Sequence, residues 1–339
     1  MKITPKSGHS VLAVALAIVA SPLSLRAQDQ PALDENLKPL QQYLGHWSVE
    51  IPTDKGRPET ASATYKVVAG GKAIVCTYTP LTDSKSDHPE ISVIYWQPET
   101  RSIAWNEFGP VSEHADSILT TNGSTMIWQG IDYNNEGRLE SFVLAEEWKD
   151  NFTFIGQATH IISEGKVKPD SHKWIVKRVK DTGLQNDKEP SLIRKLKPLS
   201  HLLGKWTGAL TNYQGEALNA VMTYKPAAGG AVIERQVDFN DKDGKSVASF
   251  VSIIAWHPET KAVIEHWFLS SGGHGLGVLT TGGRKVLEQC CGYTKTAFRT
   301  DLDEFDLAAP DTLHWAETQL VVGGQAKPDM QMTFKRVKQ

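Results

Sequence analysis

The chain repeats itself once, almost end to end. LKPLQQYLGHW begins at Leu37, and LKPLSHLLGKW begins 159 residues later at Leu196. YKVVAGGKAIV at Tyr65 is answered by YKPAAGGAVIE at Tyr224 at the same spacing. IYWQPETRSI at Ile94 is answered by IAWHPETKAV at Ile254, and LTT at Leu119 by LTT at Leu279, the spacing now 160. KPD recurs at Lys168 and Lys327, and KRVK at Lys177 and Lys335. A solenoid repeats every 20–50 residues or so; a displacement that stays between 158 and 160 makes each copy a whole domain. The expected boundaries are 37–180 and 196–338. Between them, 181–195 is polar and carries Gly183 and Pro190, the composition of a linker. Each copy is long enough to bury a core of its own without staples.

Within a copy the pattern is β. In AVIERQVDF, Ala231, Ile233, Arg235, Val237 and Phe239 share one face, and Val232, Glu234, Gln236 and Asp238 share the other. FVSIIAW and KAVIEHWF flank HPET, whose Pro258 suits the first corner of a type I turn. DKDGK from Asp241 reads as another turn, with Gly244 free to take positive φ. Short strands punctuated by turn chemistry indicate an all-β barrel or sandwich. Only NLKPLQQYLG and SLIRKLKPLSHLLG look helical: Leu37, Leu40 and Leu44 fall at i, i+3 and i+7, and Gly45 follows as a stop. The expectation is an all-β chain of two tandem antiparallel barrels, each opened by a short amphipathic helix.

That opening resembles a known group. A helix ending in L-x-G-x-W, here Leu44 to Trp47 and Leu203 to Trp206, resembles the start of lipocalin-like barrels, the nitrobindin group among them. Gly70-Gly71 and Gly229-Gly230, the W-x-P-x-T hairpins at Trp96 and Trp256, and SGGHG from Ser271 resemble an uncharacterised bacterial lipocalin-like domain. The resemblance implies a barrel whose Trp47 or Trp206 packs across the closed end. It implies little about activity, since one fold hosts many functions. Its nitrobindin side implies haem with the His274 imidazole as axial ligand, but the chain departs from that group after the first motif, and no cofactor is expected.

The first 27 residues read as a secretory signal: Lys2 and Lys6, an apolar run from Val11 to Ala20, then SPLSLRA with cleavage expected near Ala27. The run is shorter than the ~20 residues that span a bilayer. The expectation is a secreted or periplasmic protein with no membrane span. After cleavage, 33 basic residues face 39 acidic ones, which argues against a nucleic-acid partner. Three cysteines, Cys76, Cys290 and Cys291, are too few and odd in number for a disulfide scaffold.

Candidate chemistry is sparse. His114 precedes His274 by 160, so both copies carry this histidine, although only the second sets it in SSGGHGLG. On a glycine-rich turn at a barrel rim, His274 would meet a ligand entering the mouth, with His266 nearby across the hairpin. Trp105 and Glu107 in copy one, and Glu265 and Trp267 in copy two, are i, i+2 pairs that share a face. Turned inward, a carboxylate beside an indole would hold the polar group of a mostly apolar ligand; turned outward, each pair is ordinary surface. No metal-ligand spacing, nucleophile elbow, phosphate loop or dinucleotide fingerprint is present. Two readings remain: non-catalytic binding of a small apolar or amphipathic molecule in one or both barrels, or an exported hydrolase, isomerase or lyase with a His–Glu pair at the mouth. The first is favoured because no dense polar constellation in one copy is visible in the sequence.

Overall fold

A computed structural model describes residues 31–338, apart from 54–55, 82–88, 110–113, 134–137, 181–190, 212–214 and 258. The expected signal segment, most of the expected linker and Pro258 lie outside these residues. The first copy comprises β1 (Gly45–Ile51), β2 (Glu59–Val68), β3 (Ala73–Pro80), β4 (Glu90–Gln97), β5 (Ser102–Phe108), β6 (His114–Asn122), β7 (Thr125–Tyr133), β8 (Leu139–Asp150), β9 (Thr153–Ser163), β10 (Lys166–Val167) and β11 (Trp174–Val179). The second comprises β12 (Gly204–Thr211), β13 (Ala217–Ala227), β14 (Val232–Asn240), β15 (Ser246–His257), β16 (Ala262–Leu269), β17 (His274–Gly282), β18 (Lys285–Tyr293), β19 (Phe298–Ala309), β20 (Thr312–Val322), β21 (Gln325–Ala326) and β22 (Met330–Arg336). Neighbours in sequence pair antiparallel; β11 returns between β1 and β9, and β8 pairs β9, so ten strands close into a barrel with β10 as a short spur. The second copy closes the same way through β22, β20 and β19. Among the described residues no helix is long and apolar enough to cross a membrane.

The segments expected as amphipathic helices are 3₁₀ helices, Glu35–Tyr43 and Lys197–Leu202. The buried residues of the first are Leu37, Leu40 and Tyr43, every third position, which is the 3₁₀ period rather than the α period. Tyr43 therefore takes the inward place expected of Leu44. Pro39 lies within the first helix and Pro198 at the start of the second, where a missing amide costs least.

Each helix hands the chain to a tryptophan. Trp47 and Trp206 are fully buried, and their indole N–H groups donate to the carbonyls of Tyr43 (2.6 Å) and Leu202 (2.8 Å). The last strand of each copy then supplies an arginine from KRVK. Arg178 lies over Trp47 at 4.3 Å, and Arg336 over Trp206 at 4.0 Å. Arg178 also donates to the carbonyls of Leu44 and Gln42, and Arg336 to those of Leu203 and His201. The glycine of Gly-x-Trp makes room for this: a Cβ on Gly45 would stand 2.9 Å from the Arg178 guanidinium, and one on Gly204 3.0 Å from that of Arg336.

The paired glycines have two separate tasks. Gly71 and Gly230, both at positive φ, leave no space for a Cβ because the carbonyls of Ala32 and Ser191 press on them. Asp34 N–H and Ile193 N–H then donate to the carbonyls of Gly71 (2.9 Å) and Gly230 (3.0 Å). Residues 191–195, placed in the linker by composition, thus pack on the second barrel. Gly70 and Gly229 point the other way, Gly70 onto Ser270 of the second barrel and Gly229 onto Pro89 of the first. Between the barrels lies a third apolar core, including Val75, Val93 and Tyr95 of one and Val232, Ile253 and Phe268 of the other.

Trp47→Ala and Trp206→Ala should each cost the affected barrel about 3–5 kcal/mol, the usual loss for a buried large aromatic. Chemical denaturation should then show that barrel melting first; midpoints that barely move would remove the closing role of these tryptophans.

Candidate functional site

The two barrels share a backbone but not an interior. Read across its strands, the second barrel presents the row Glu265, Gly277, Cys290, Asp301, and beside it the row Glu288, Asp303, Glu317. The same register positions in the first barrel hold Trp105, Ser117, Gly130, Phe142, and Trp128, Leu144, Ala158. Arg235, opposite Tyr224, corresponds to Cys76, opposite Tyr65. Five carboxylates and an arginine thus replace aromatic, aliphatic and small side chains.

In the second barrel these groups form one buried cluster. Arg235 pairs with Glu265 at 2.6 Å, lies 3.7 Å from Glu288, and donates weakly to Ser252 Oγ (3.3 Å) and the Tyr224 hydroxyl (3.4 Å). Burial opposes its charge, but Glu265, Tyr224 and Glu288 outweigh that and hold the guanidinium well above its ordinary pKa. Arg299 pairs with Asp301 at 2.7 Å and with Glu317. Asp303 lies among them with no ion pair of its own among the described residues, and its Oδ1 has no hydrogen-bond partner. Burial first, then Glu317 and Asp301, push its carboxyl well above the usual range. Glu288 is raised in the same direction by burial and by Glu265, and both its oxygens lack hydrogen-bond partners.

A cavity of about 240 Å³ opens over this cluster. Phe239, Phe250, Phe305, Met330 and Met332 are among its apolar walls, while Asp301, Asp303, Glu317 and Arg299 are exposed to it. Two glycines of SSGGHGLG, Gly275 and Gly277, shape this interior. A Cβ on Gly275 would fall 2.2 Å from the Trp267 indole, and one on Gly277 2.0 Å from Glu288 Oε1. Gly292, next in the Trp267–Gly275 row, is stripped for the same indole.

His274 itself does not line this cavity. It opposes Phe268 on the outer face, ring to ring with Tyr95 of the first barrel (5.0 Å), and its Nε2 lies 3.4 Å from Glu99. Burial lowers its pKa, and Glu99 partly restores it. His274 lines instead a cavity of about 220 Å³ between the barrels, which Asp34, Lys72 and Lys295 also border. With Tyr95 on one side, Tyr293 near the other and a carboxylate at Nε2, the residues present do not fit an axial haem ligand. The expected open mouth at His274 is replaced by the contact between barrels, because its strand alternation points it outward. His266 likewise faces outward, packed on Phe108 at 5.1 Å. A His274–Glu265 pair does not form, since the two lie on opposite faces of the sheet. The side chain of His114 lies outside the described residues.

Trp105 and Glu107 line a cavity of about 230 Å³ inside the first barrel, and Trp267 lines that of the second. Glu265 is buried beneath it. Glu90 and Glu146 also border the first barrel's cavity, and Glu146 accepts from the Tyr43 hydroxyl (2.7 Å) and the Trp128 indole (2.9 Å). Burial raises its pKa, and these two donors oppose the rise. Cys76 is pushed up to about 12 by burial. Of the adjacent cysteines, Cys290 points inward and Cys291 outward.

Sequence reasoning missed Arg235, Glu288, Asp301, Asp303, Arg299 and Glu317. The signal was there in part: Arg235 shares a face with Ile233 and Val237, and Asp301 and Asp303 share one with Phe305 and Leu307. Charged residues within an apolar stripe are buried groups in need of partners.

No family model and no curated protein matches the sequence. Among solved structures, the chain is similar to Rv2717c from M. tuberculosis at 17% identity, with a TM-score of 0.36, over 44% of this chain and 100% of that one. It is also similar to a protein with unknown function of the DUF3598 family from Nostoc punctiforme PCC 73102, at 12% identity and a TM-score of 0.29, over 90% of this chain and 100% of that one.

Because Glu146 is raised in the folded state, its proton stabilises the first barrel below the ordinary carboxylate value of about 4.3. That contribution is lost as pH rises from there through the folded value. Denaturation of wild type and Glu146→Gln across pH 4–8 should therefore show the variant gaining relative stability as pH rises; parallel curves would contradict this.

Proposed function

We propose that the chain is an exported binding protein of lipocalin-like kind, and that its second barrel, which holds the dense polar cluster the sequence did not reveal, takes a small amphipathic molecule. The observation that carries this reading is the composition of the second cavity: aromatic and methionine walls over a charged floor. Ligand sites are mostly apolar with a few placed polar groups, and drug-sized sites run from roughly 300 to 1,000 Å³. At about 240 Å³ this cavity suits a smaller occupant. Ten strands give a wider interior than eight, which side chains alone can fill. An apolar body would lie against Phe239, Phe250 and Met330, with its polar end turned to the carboxylates. The first barrel, with Trp105 and Glu107 at a cavity of similar size, is the second place for such a molecule. Export rests on the N-terminal signal pattern, with a mature chain beginning near Gln28 in the periplasm or outside the cell.

Titration with 1-aminoanthracene, an apolar body ending in an amine, tests the reading. Wild type should enhance its fluorescence saturably. Val237→Trp, which puts an indole into the second cavity, should remove that barrel's share of the signal while leaving the β circular dichroism unchanged. Equal enhancement by both proteins would overturn the assignment to the second barrel.

A further inference from the structure

We infer that the floor of the second barrel binds one divalent transition-metal cation, held by Glu288, Cys290 and Asp303. The site goes beyond the ligand-binding reading and stands whether or not the cavity above it holds an organic molecule. The ligand atoms of these three residues lie within 4.8 Å of one another, and so do those of Asp301, Asp303 and Glu317, with Asp303 common to both sets. Ligands at about 2.0–2.3 Å from a tetrahedral ion stand roughly 3.3–3.8 Å apart, so a modest closing of the side chains brings three donors to ligand spacing.

An acidic cluster alone would not establish a site, but these groups are orphaned. Glu288 is fully buried and Asp303 is 8% exposed, and Glu288 Oε1, Glu288 Oε2, Asp303 Oδ1 and the neighbouring Asp301 Oδ2 have no hydrogen-bond partner. Arg235 is engaged by Glu265 at 2.6 Å and reaches Glu288 only at 3.7 Å, and Arg299 is engaged by Asp301 and Glu317, which leaves Asp303 with no ion pair among the described residues. Isolated buried carboxylates are costly and are normally paired or bound to metal. The fold does not require them: the first barrel closes with Trp128, Gly130 and Leu144 at these positions. Space has also been cleared for one of them, since any side chain at Gly277 would collide with Glu288.

The donor set narrows the ion. Two carboxylates and a thiol suit Zn²⁺ and its neighbours better than Mg²⁺ or Ca²⁺, which take all-oxygen shells. Cys290 and Asp303 also line the cavity, so a fourth position faces open space. On binding, the Cys290 thiol gives its proton to solvent and its sulfur becomes a thiolate ligand.

The test uses the full chain without a histidine tag, stripped by a chelator and titrated with Zn²⁺, Co²⁺ and Mg²⁺ by calorimetry and absorbance. Wild type should bind one Zn²⁺ in preference to Mg²⁺, and Co²⁺ should give a near-ultraviolet thiolate-to-metal band. Asp303→Asn and Cys290→Ser should each weaken Zn²⁺ binding at least about tenfold, the lower end of what is lost even when only a residue hydrogen-bonded to a metal ligand is changed. Cys290→Ser should also lose the Co²⁺ band, and both variants should keep the wild-type circular dichroism. No Zn²⁺ binding by wild type, undiminished binding by the two folded variants, or Co²⁺ binding without the thiolate band would overturn the proposal. Loss of 1-aminoanthracene binding with Zn²⁺ binding intact would strike only the organic-ligand reading.

Discussion

A guanidinium from the end of each copy lies over an indole from its beginning, Arg178 on Trp47 and Arg336 on Trp206. The rest of each barrel depends on this pairing. Nearly all its strands are joined to their sequence neighbours, a local arrangement that leaves an open, twisted sheet with two raw edges. Closing it requires the first strand and the last to meet, and exposed edges are an aggregation hazard if they do not. The arginine holds the seam and satisfies carbonyls at the end of the 3₁₀ helix, so one side chain ties sheet to cap. Its energy combines cation–π attraction with charge-assisted hydrogen bonds in a partly buried setting.

Once closure is secured at one end, the interior is free to differ. The first barrel fills its centre with Trp105, Trp128 and Leu144 beside Glu146, one oxygen of which accepts two hydrogen bonds. The second removes bulk with Gly275, Gly277 and Gly292 and places Arg235, Arg299 and five carboxylates in the space. Such a cluster contributes less to stability than apolar packing of the same volume. The first barrel offers an internal comparison: it has the same strands and registers but holds Trp105, Phe142, Trp128, Leu144 and Ala158 where the second has its five carboxylates, and its own cavity acids, Glu90, Glu107 and Glu146, stand elsewhere.

Much of the architecture was legible in the sequence. The constant displacement between copies gave two domains, alternation gave strands, and Arg235 already stood on the same face as Val237. Three things were not legible. The cap is 3₁₀ because Leu37, Leu40 and Tyr43 fit a period of three as well as Leu37, Leu40 and Leu44 fit 3.6, and only packing decides. His274 attracted notice through its glycines, yet two of them, Gly275 and Gly277, serve Trp267 and Glu288 inside the barrel while the imidazole faces out. The acidic cluster is drawn from four strands between Glu265 and Glu317, so only the register of the closed sheet brings it together.

The central claim is that the charged floor of the second barrel is carried at a cost to stability for the sake of a bound cation. Replacing Asp303 with leucine, the side chain that Leu144 provides in the first barrel, measures this most directly. In metal-free buffer at pH 7 the account predicts that Asp303→Leu is at least as stable as wild type in chemical denaturation, with a gain of up to about 1–3 kcal/mol from removing an unsatisfied buried group. A loss of more than about 2 kcal/mol, on the scale of a disrupted buried network, would make Asp303 part of the scaffold and contradict the account.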